Sequence, residues 1–349
     1  MAATEAKGGT VSTVIDSAQA RMIRLLQRLA PNEGYTQSAL DSVRLMRSDR
    51  PLGRTPVLYE PSIVIVCQGR KIGFLGEEVY VYDAQHYLVL SVPLPFSTET
   101  QASPAEPMLA VSVRLDLIEL TELISQIDAA GHHAAAPAAG IVSTPLDGAL
   151  ADATLRLLQS LTSPVDAQIL GPAIVREICY RVLTGEQGGA MRAALAHNGR
   201  FGRVARALKK IHTEFAGPLN VSGLAEEAGM SVPAFHANFR AVTQTSPIQY
   251  IKSTRLHHAR LLMIRDGATA ASAAARVGYE SASQFSREFK RLFGRTPVDE
   301  VRDMRESFTL SPAVTPEELQ WQGEAQAPVA ERVRAGRASA GASRPRASA

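Results

Sequence analysis

Apolar positions recur along the chain with three successive periods. Val14, Ile15, Ala18, Met22, Leu25, Leu26 and Leu29 repeat every three or four residues between Ser12, a candidate cap, and the Pro31-Asn32 stop. That spacing predicts an amphipathic helix with one face to bury. From Val57 the period becomes that of strands. Ser62 to Cys67 is a continuous apolar run, which predicts a strand covered on both faces. Ile72–Leu75, Val79–Tyr82, Tyr87–Ser91 and Leu109–Val113 follow, with turn signals at Gln68–Lys71, Gly76–Glu78 and Asp83–Gln85 and a Pro-rich link before the last. Short strands at this spacing imply an antiparallel sheet closed as a sandwich or barrel. Helical periodicity then returns over 115–127, 146–161, 167–183 and 201–215, interrupted by an Ala-rich loop at 131–140 and a Gly-rich break at 185–189.

From Leu219 to Arg305 one arrangement is written twice, about fifty residues apart. The first copy runs Leu224-Ala225-Glu226-Glu227-Ala228-Gly229-Met230-Ser231, then Phe235, Phe239-Arg240 and Ser246-Pro247. The second runs Ala274-Ala275-Arg276-Val277-Gly278-Tyr279-Glu280-Ser281, then Phe285, Phe289-Lys290 and Thr296-Pro297. In each, an Ala four residues before a Gly marks a helix crossing and a tight turn. A Ser follows as N-cap, and two Phe four apart put rings on one helical face. Each copy therefore reads as helix, turn, helix. Between them Pro247 opens a helix that Gly267 closes, with Ile248, Ile251, Leu256, Ala259 and Leu262 near helical spacing. Its length, about 25 Å, suits two modules placed on major-groove faces roughly 34 Å apart.

The faces that the Phe pairs leave outward carry the candidate chemistry. In the second copy these are Ser283, Gln284, Ser286, Arg287 and Lys290, residue types that suit base edges and phosphates. In the first they are Pro233, His236, Ala237 and Arg240, poorer in hydrogen-bonding groups and better suited to backbone or thymine-methyl contact. Ser231 and Ser281 are read as caps whose neighbouring backbone amides face phosphates.

Charge sharpens this picture. The net charge of +3 is distributed as −5 over residues 1–199, +7 over 200–309 and +1 beyond, so the excess of cations coincides with the duplicated segment. Phosphate neutralisation is the expected use. Only two cysteines, Cys67 and Cys179, are present, which excludes a disulfide framework and points to a reducing cytoplasm. There is no apolar run of eighteen residues and no leader pattern, so no membrane span is expected. The sequence has no phosphate-cradling Gly loop, nucleophile elbow or paired-carboxylate motif, and no catalytic residue or cofactor is assigned. His86 stands alone in the strand region, and the adjacent pairs His132-His133 and His257-His258 diverge on any regular element, so no metal site is assigned either. Cys67, inside an apolar strand, reads as an inert core thiol.

The run Gly278-Tyr279-Glu280-Ser281-Ala282-Ser283-Gln284-Phe285-Ser286-Arg287-Glu288-Phe289-Lys290-Arg291-Leu292-Phe293-Gly294-Arg295-Thr296-Pro297 resembles the diagnostic segment of the AraC/XylS family of bacterial transcription regulators. The strand region, through Tyr59-Glu60-Pro61-Ser62, Gln68-Gly69-Arg70-Lys71, Tyr82 to Val89, Leu94-Pro95, Ala102-Ser103-Pro104 and Arg114-Leu115-Asp116-Leu117, is similar to the N-terminal domain of one branch of that family. Gln85 stands where that branch often has Gly. The resemblance implies an α+β chain: a cupin-like antiparallel β-barrel with helices, then an all-α domain of two helix-turn-helix modules joined by a long helix. Expected boundaries are a sensing and dimerisation domain over 12–130, a helical connection over 131–198, a DNA-binding domain over 199–308 and a disordered tail over 309–349. The expected partners are double-stranded promoter DNA, RNA polymerase, a second copy held through part of 117–183, and a small-molecule effector in the barrel. Two alternatives stay open: a dimer without effector, and a metal-dependent cupin enzyme fused to a DNA-binding domain. The sign of regulation is not written in the sequence.

Overall fold

The computed structural model describes residues 18–131, 138–195 and 200–308. The expected cap at Ser12, the His132-His133 pair and the tail over 309–349 lie outside these residues. Helix α1 (18–29) opens the described chain. Strands β1 (Gly34–Gln37), β2 (Val43–Ser48), β3 (Leu52–Tyr59), β4 (Ser62–Gln68), β5 (Arg70–Leu75), β6 (Glu78–Asp83), β7 (His86–Leu90), β8 (Leu94–Gln101) and β9 (Met108–Arg114) follow. After α2 (Leu117–Ala129), strand β10 (Ile141–Pro145) rejoins the sheet. Helices α3 (Gly148–Ser160), α4 (Pro164–Thr184) and α5 (Gly188–Leu195) lead to the C-terminal helices.

The strands make two antiparallel sheets, β1-β2-β9-β4-β7-β10 and β3-β8-β5-β6. Strand β4 is the central member, and its apolar run is covered on both sides as its composition requires. Val64 and Val66 face the interior between the sheets with Leu88, Leu90, Phe96 and Ala110. Ile63, Ile65 and Cys67 face outward and are covered by Met22 and Leu26 of α1 and by Leu120, Leu150 and Ile178 of α2, α3 and α4. Period-two alternation thus feeds two cores from one strand. Cys67 is buried beside Met22 Sδ at 3.9 Å, and burial pushes its thiol up to about 12, which fits an inert core residue.

The strands sought from residue 57 onward begin earlier: β1, β2 and the start of β3 precede that point. The Pro-rich link contains β8, and β10 follows the Ala-rich loop. The Gly-rich break at 185–189 ends α4 but also starts α5. Ile248, at near-helical spacing from Ile251, Leu256 and Ala259, is 50% exposed whereas those three are buried.

The two-sheet interior continues without interruption into the first C-terminal module. Its apolar cluster includes Leu94 and Ile141 of the sheets together with Phe201, Val204, Leu208, Phe235, Phe239 and Tyr250.

Candidate nucleic-acid interface

Helices α6 (Arg200–Glu214), α7 (Val221–Glu227), α8 (Val232–Thr243), α9 (Pro247–Arg265), α10 (Ala270–Arg276), α11 (Ala282–Phe293) and α12 (Pro297–Phe308) form the C-terminal part. In α8 and α11 the two Phe of each pair are fully buried, their rings 5.3 Å apart for Phe235 and Phe239 and 5.5 Å for Phe285 and Phe289. Burying one stripe of a helix fixes what the opposite stripe presents. Position by position, 231–240 and 281–290 alternate buried and exposed residues in the same order, so both modules present equivalent faces.

The turns are built as the spacing predicts. Gly229 and Gly278 adopt positive φ of 61° and 82°, and Ala225 and Ala274 are buried where the helices cross. Met230 N–H donates to Ala225 O and Tyr279 N–H to Ala274 O, both at 2.9 Å. Gly278 is further constrained, since a Cβ there would stand 2.4 Å from Ala216 O. Arg255 of α9 braces the same turn, its guanidinium donating to Phe215 O (2.7 Å), Gly217 O (2.8 Å) and Gly278 O (3.1 Å). Ser281 caps α11 by accepting from Gln284 N–H at 3.2 Å. Ser231 occupies the cap position of α8 but makes no side-chain cap hydrogen bond, a correction to the paired-cap expectation. Pro233, lacking an N–H, removes one of the donors such a cap would satisfy.

The outward stripe of α11 carries Ser283, Gln284, Ser286, Arg287 and Lys290, and that of α8 carries Pro233, His236, Ala237 and Arg240, all exposed. Neither first turn contains an acidic residue, so the positive helix ends stay unneutralised. Among the described residues Arg240, Arg287 and Lys290 make no ion pair. A cation stripe without carboxylate partners can meet phosphate without first breaking an internal bond. Ser286 is partly committed, because its hydroxyl donates to Ala282 O at 2.9 Å and leaves only acceptor capacity outward. The modules share α9, 19 residues and about 28 Å long.

Three residues not singled out in the sequence shape this face. Glu288 accepts from Lys252 Nζ at 2.6 Å, Tyr279 Oη at 2.7 Å and Gln284 Nε2 at 3.2 Å. Burial opposes ionisation of Glu288, but the hydrogen bonds from Lys252, Tyr279 and Gln284 outweigh it and hold the carboxyl below its usual range. The i,i+4 relation of Gln284 to Glu288 was available as a signal, whereas the approach of Lys252 depends on how α9 crosses α11.

Residues 39–190 match the family model described as the AraC-type transcriptional regulator N-terminus, and residues 224–303 match a helix-turn-helix domain model. The chain belongs to the AraC/XylS family of transcription regulators. A putative AraC-like transcription regulator of Streptomyces lividans is 36% identical over 96 residues, 28% of this chain and 32% of that one. The regulator AlkR of Acinetobacter baylyi is 32% identical over 94 residues, 27% of this chain and 31% of its own. The match therefore spans about a third of the length of these curated relatives. A crystal structure of apo ToxT from Vibrio cholerae shares the fold at 10% identity and TM-score 0.50, covering 78% of this chain and 99% of that one. The family's pairing of a β-rich N-terminal domain with a helix-turn-helix region is thus the architecture present here. Among the described residues, no helix is long and apolar enough to cross a membrane, and no three His, Cys, Asp or Glu side chains are grouped to hold a metal.

Proposed function

We propose that this chain is a sequence-specific DNA-binding regulator whose two helix-turn-helix modules read adjacent major-groove segments of a promoter site. The observation that carries the reading is the repeated face of α8 and α11, in which basic side chains without ion-pair partners among the described residues stand beside hydrogen-bonding groups on helices whose first turns hold no acid. Ser281, Ser283, Gln284, Ser286, Arg287 and Lys290 are assigned to the second contact, and Ser231, Pro233, His236, Ala237 and Arg240 to the first. Residues 12–130 form the sensing and dimerising domain in this reading, 131–198 the connection and 199–308 the DNA-binding domain. The protein acts as a cytoplasmic homodimer that presents RNA polymerase with a regulated surface, and it performs no catalysis.

Modulation by an effector at the N-terminal domain is favoured by the polar groups of its interior. Lys71 is 6% exposed and donates to Thr100 Oγ1 at 3.0 Å, with no carboxylate in ion-pair range among the described residues. Burial lowers its pKa. Among the described residues the buried hydroxyls of Tyr59 and Tyr82 make no hydrogen bond of good geometry, although they lie near each other. Buried polar groups left unsatisfied are costly unless they serve something, which speaks against a domain that only dimerises. The mechanism is a population shift: a ligand favouring one placement of the modules changes promoter occupancy by its differential affinity.

Footprinting of the purified protein on its own upstream region across a salt series tests the function. A discrete site covering two neighbouring major-groove segments per subunit, with affinity falling steeply as salt rises, is expected. Protection that stays uniform over the whole fragment at every salt concentration would refute sequence-specific reading.

A further inference from the structure

We infer that Glu288 is a positioning residue for base reading: it fixes the Gln284 amide so that the second module selects adenine at one base pair. The inference rests on the DNA-reading function proposed above. A glutamine amide is two-faced, with an accepting oxygen and a donating nitrogen that exchange places by a half-turn of the terminal torsion. On an exposed helix face a free Gln can therefore offer either group to a base edge, and it discriminates poorly. Gln284 is not free. Its amide lies 3.2 Å from Glu288 Oε1, and an ionised carboxylate can only accept, so the amide nitrogen must point toward Glu288. The oxygen and the second N–H of Gln284 are left to face outward together.

That pair of groups has one full complement in the major groove. Adenine offers N6–H as donor and N7 as acceptor, matching the outward oxygen and N–H of Gln284. Cytosine offers a donor but no adjacent acceptor. Guanine O6 and thymine O4 would set acceptor against acceptor. The expected order at the contacted base is adenine, then cytosine, then guanine and thymine.

Glu288 is itself held from three directions. Lys252 comes from α9, Tyr279 from the turn before α11, and Gln284 from one helical turn earlier on α11. The Glu288 side chain is 11% exposed, so its own carboxylate stays behind the reading face. The Lys252 ammonium, 2.6 Å away, offsets a negative charge that would otherwise repel phosphates on a DNA-facing helix. The carboxylate is thus placed to orient a reader without reading.

Selection from a randomised DNA pool by the full chain, followed by sequencing, tests the inference. For the natural protein one position should favour adenine over guanine or thymine by roughly 5- to 150-fold, the range a bidentate base contact provides. Gln284→Ala should erase that preference and leave the other positions intact. Glu288→Gln is nearly the same size, but its amide can meet either face of Gln284; the preference at this position should fall several-fold with the remaining motif unchanged, while loss of the Lys252 ion pair lowers the melting temperature without altering the choice of base at other positions. Glu288→Asp keeps the charge near Lys252 while withdrawing it from Gln284, and should show the same local loss. Retention of the adenine preference in both Glu288 variants would overturn the positioning role. An unchanged motif in Gln284→Ala would overturn base reading by that residue. A pool showing no motif with the natural protein would instead sink the DNA-reading function on which the inference stands.

Discussion

Tyr250 joins the N-terminal sheets to the first helix-turn-helix module through one hydroxyl, and Tyr250→Phe isolates what that hydroxyl contributes. The ring is fully buried, set edge-on to Phe239 at 5.4 Å and to His212 at 5.7 Å between centroids. Phenylalanine keeps those contacts. The hydroxyl lies 2.6 Å from Pro93 O and 2.7 Å from His212 Nε2. A carbonyl can only accept, so the single tyrosine proton goes to Pro93 and His212 must donate through Nε2–H. Burial, with a smaller contribution from His258, pushes His212 down to about 3, so the ring is neutral and this tautomer is the one the geometry demands.

Removing the oxygen strands two polar groups in a desolvated place. At about 1–3 kcal/mol for each unsatisfied group, the variant should lose roughly 2–6 kcal/mol. Tyr82→Phe is the internal control, since among the described residues its buried hydroxyl makes no hydrogen bond of good geometry and has only the Tyr59 hydroxyl near it, so deleting it should cost far less. Urea unfolding would be followed by far-UV circular dichroism and by the near-UV circular dichroism of the buried aromatic rings. In Tyr250→Phe the two transitions should also separate, because the link between sheets and module is weakened. A Tyr250→Phe loss under about 0.5 kcal/mol, or one matched by Tyr82→Phe, would refute the latch.

Arg287→Ala should weaken specific DNA binding by about 1–3 kcal/mol if the side chain reads a base; equal loss on specific and random DNA in a titration would assign it to phosphate, and no loss on either would remove it from the interface. Gly278→Ala should be far more damaging to thermal stability than Gly294→Ala: both have positive φ, worth about 1–2 kcal/mol, but only at Gly278 does the new methyl meet backbone, at Ala216 O. Stability should fall as pH drops from 7 to 5, because His212 and His257, both pushed down to about 3 by burial, refuse two protons that the unfolded chain accepts near 6.5. Glu60 opposes this, its carboxyl raised by burial to about 7 against the pull of Arg114 and Arg44, so the net slope grows from near zero at pH 7 to about one proton, or 1.4 kcal/mol per pH unit, near pH 5; urea midpoints should show it, and Glu60→Gln should steepen it toward twofold.

The C-terminal half was legible because its cores are apolar and local. Phe235, Phe239, Phe285 and Phe289, with a Gly at each turn, leave few alternatives to a helix-turn-helix pair. The N-terminal sheets were half legible for a physical reason. Strand β4 lies between two apolar cores and shows as an unbroken run, whereas β8 turns Phe96, Thr98 and Thr100 inward and Pro95, Ser97 and Glu99 outward. With polar groups on its buried side, such a strand has no hydrophobic period to read. Strand β2 places Arg44 and Arg47 among buried Val43, Leu45 and Met46, and β10 is five residues long. The reading face was visible as residue types, but the Lys252–Glu288–Gln284 chain was not, since it joins elements 36 residues apart through a helix crossing.

The duplication explains why the two faces differ in chemistry despite equivalent frames. Fifty positions before Gln284 and Glu288 stand Ala234 and Asn238, and Asn238 donates its amide to Ala234 O of its own helix at 2.7 Å. The first turn also has one residue fewer than the second: one residue separates Gly229 from Ser231, two separate Gly278 from Ser281. Met230 accordingly holds the backbone position of Tyr279, without a hydroxyl to offer a carboxylate. The first module therefore keeps the packing that shapes a groove-fitting helix but none of the network that orients an amide toward a base. Arg240 and the free amides of α8 suffice for phosphate contact, which is insensitive to sequence. Affinity is then shared between the modules while discrimination is concentrated in α11, so exchanging residues 282–290 should alter which site is chosen far more than exchanging 232–240.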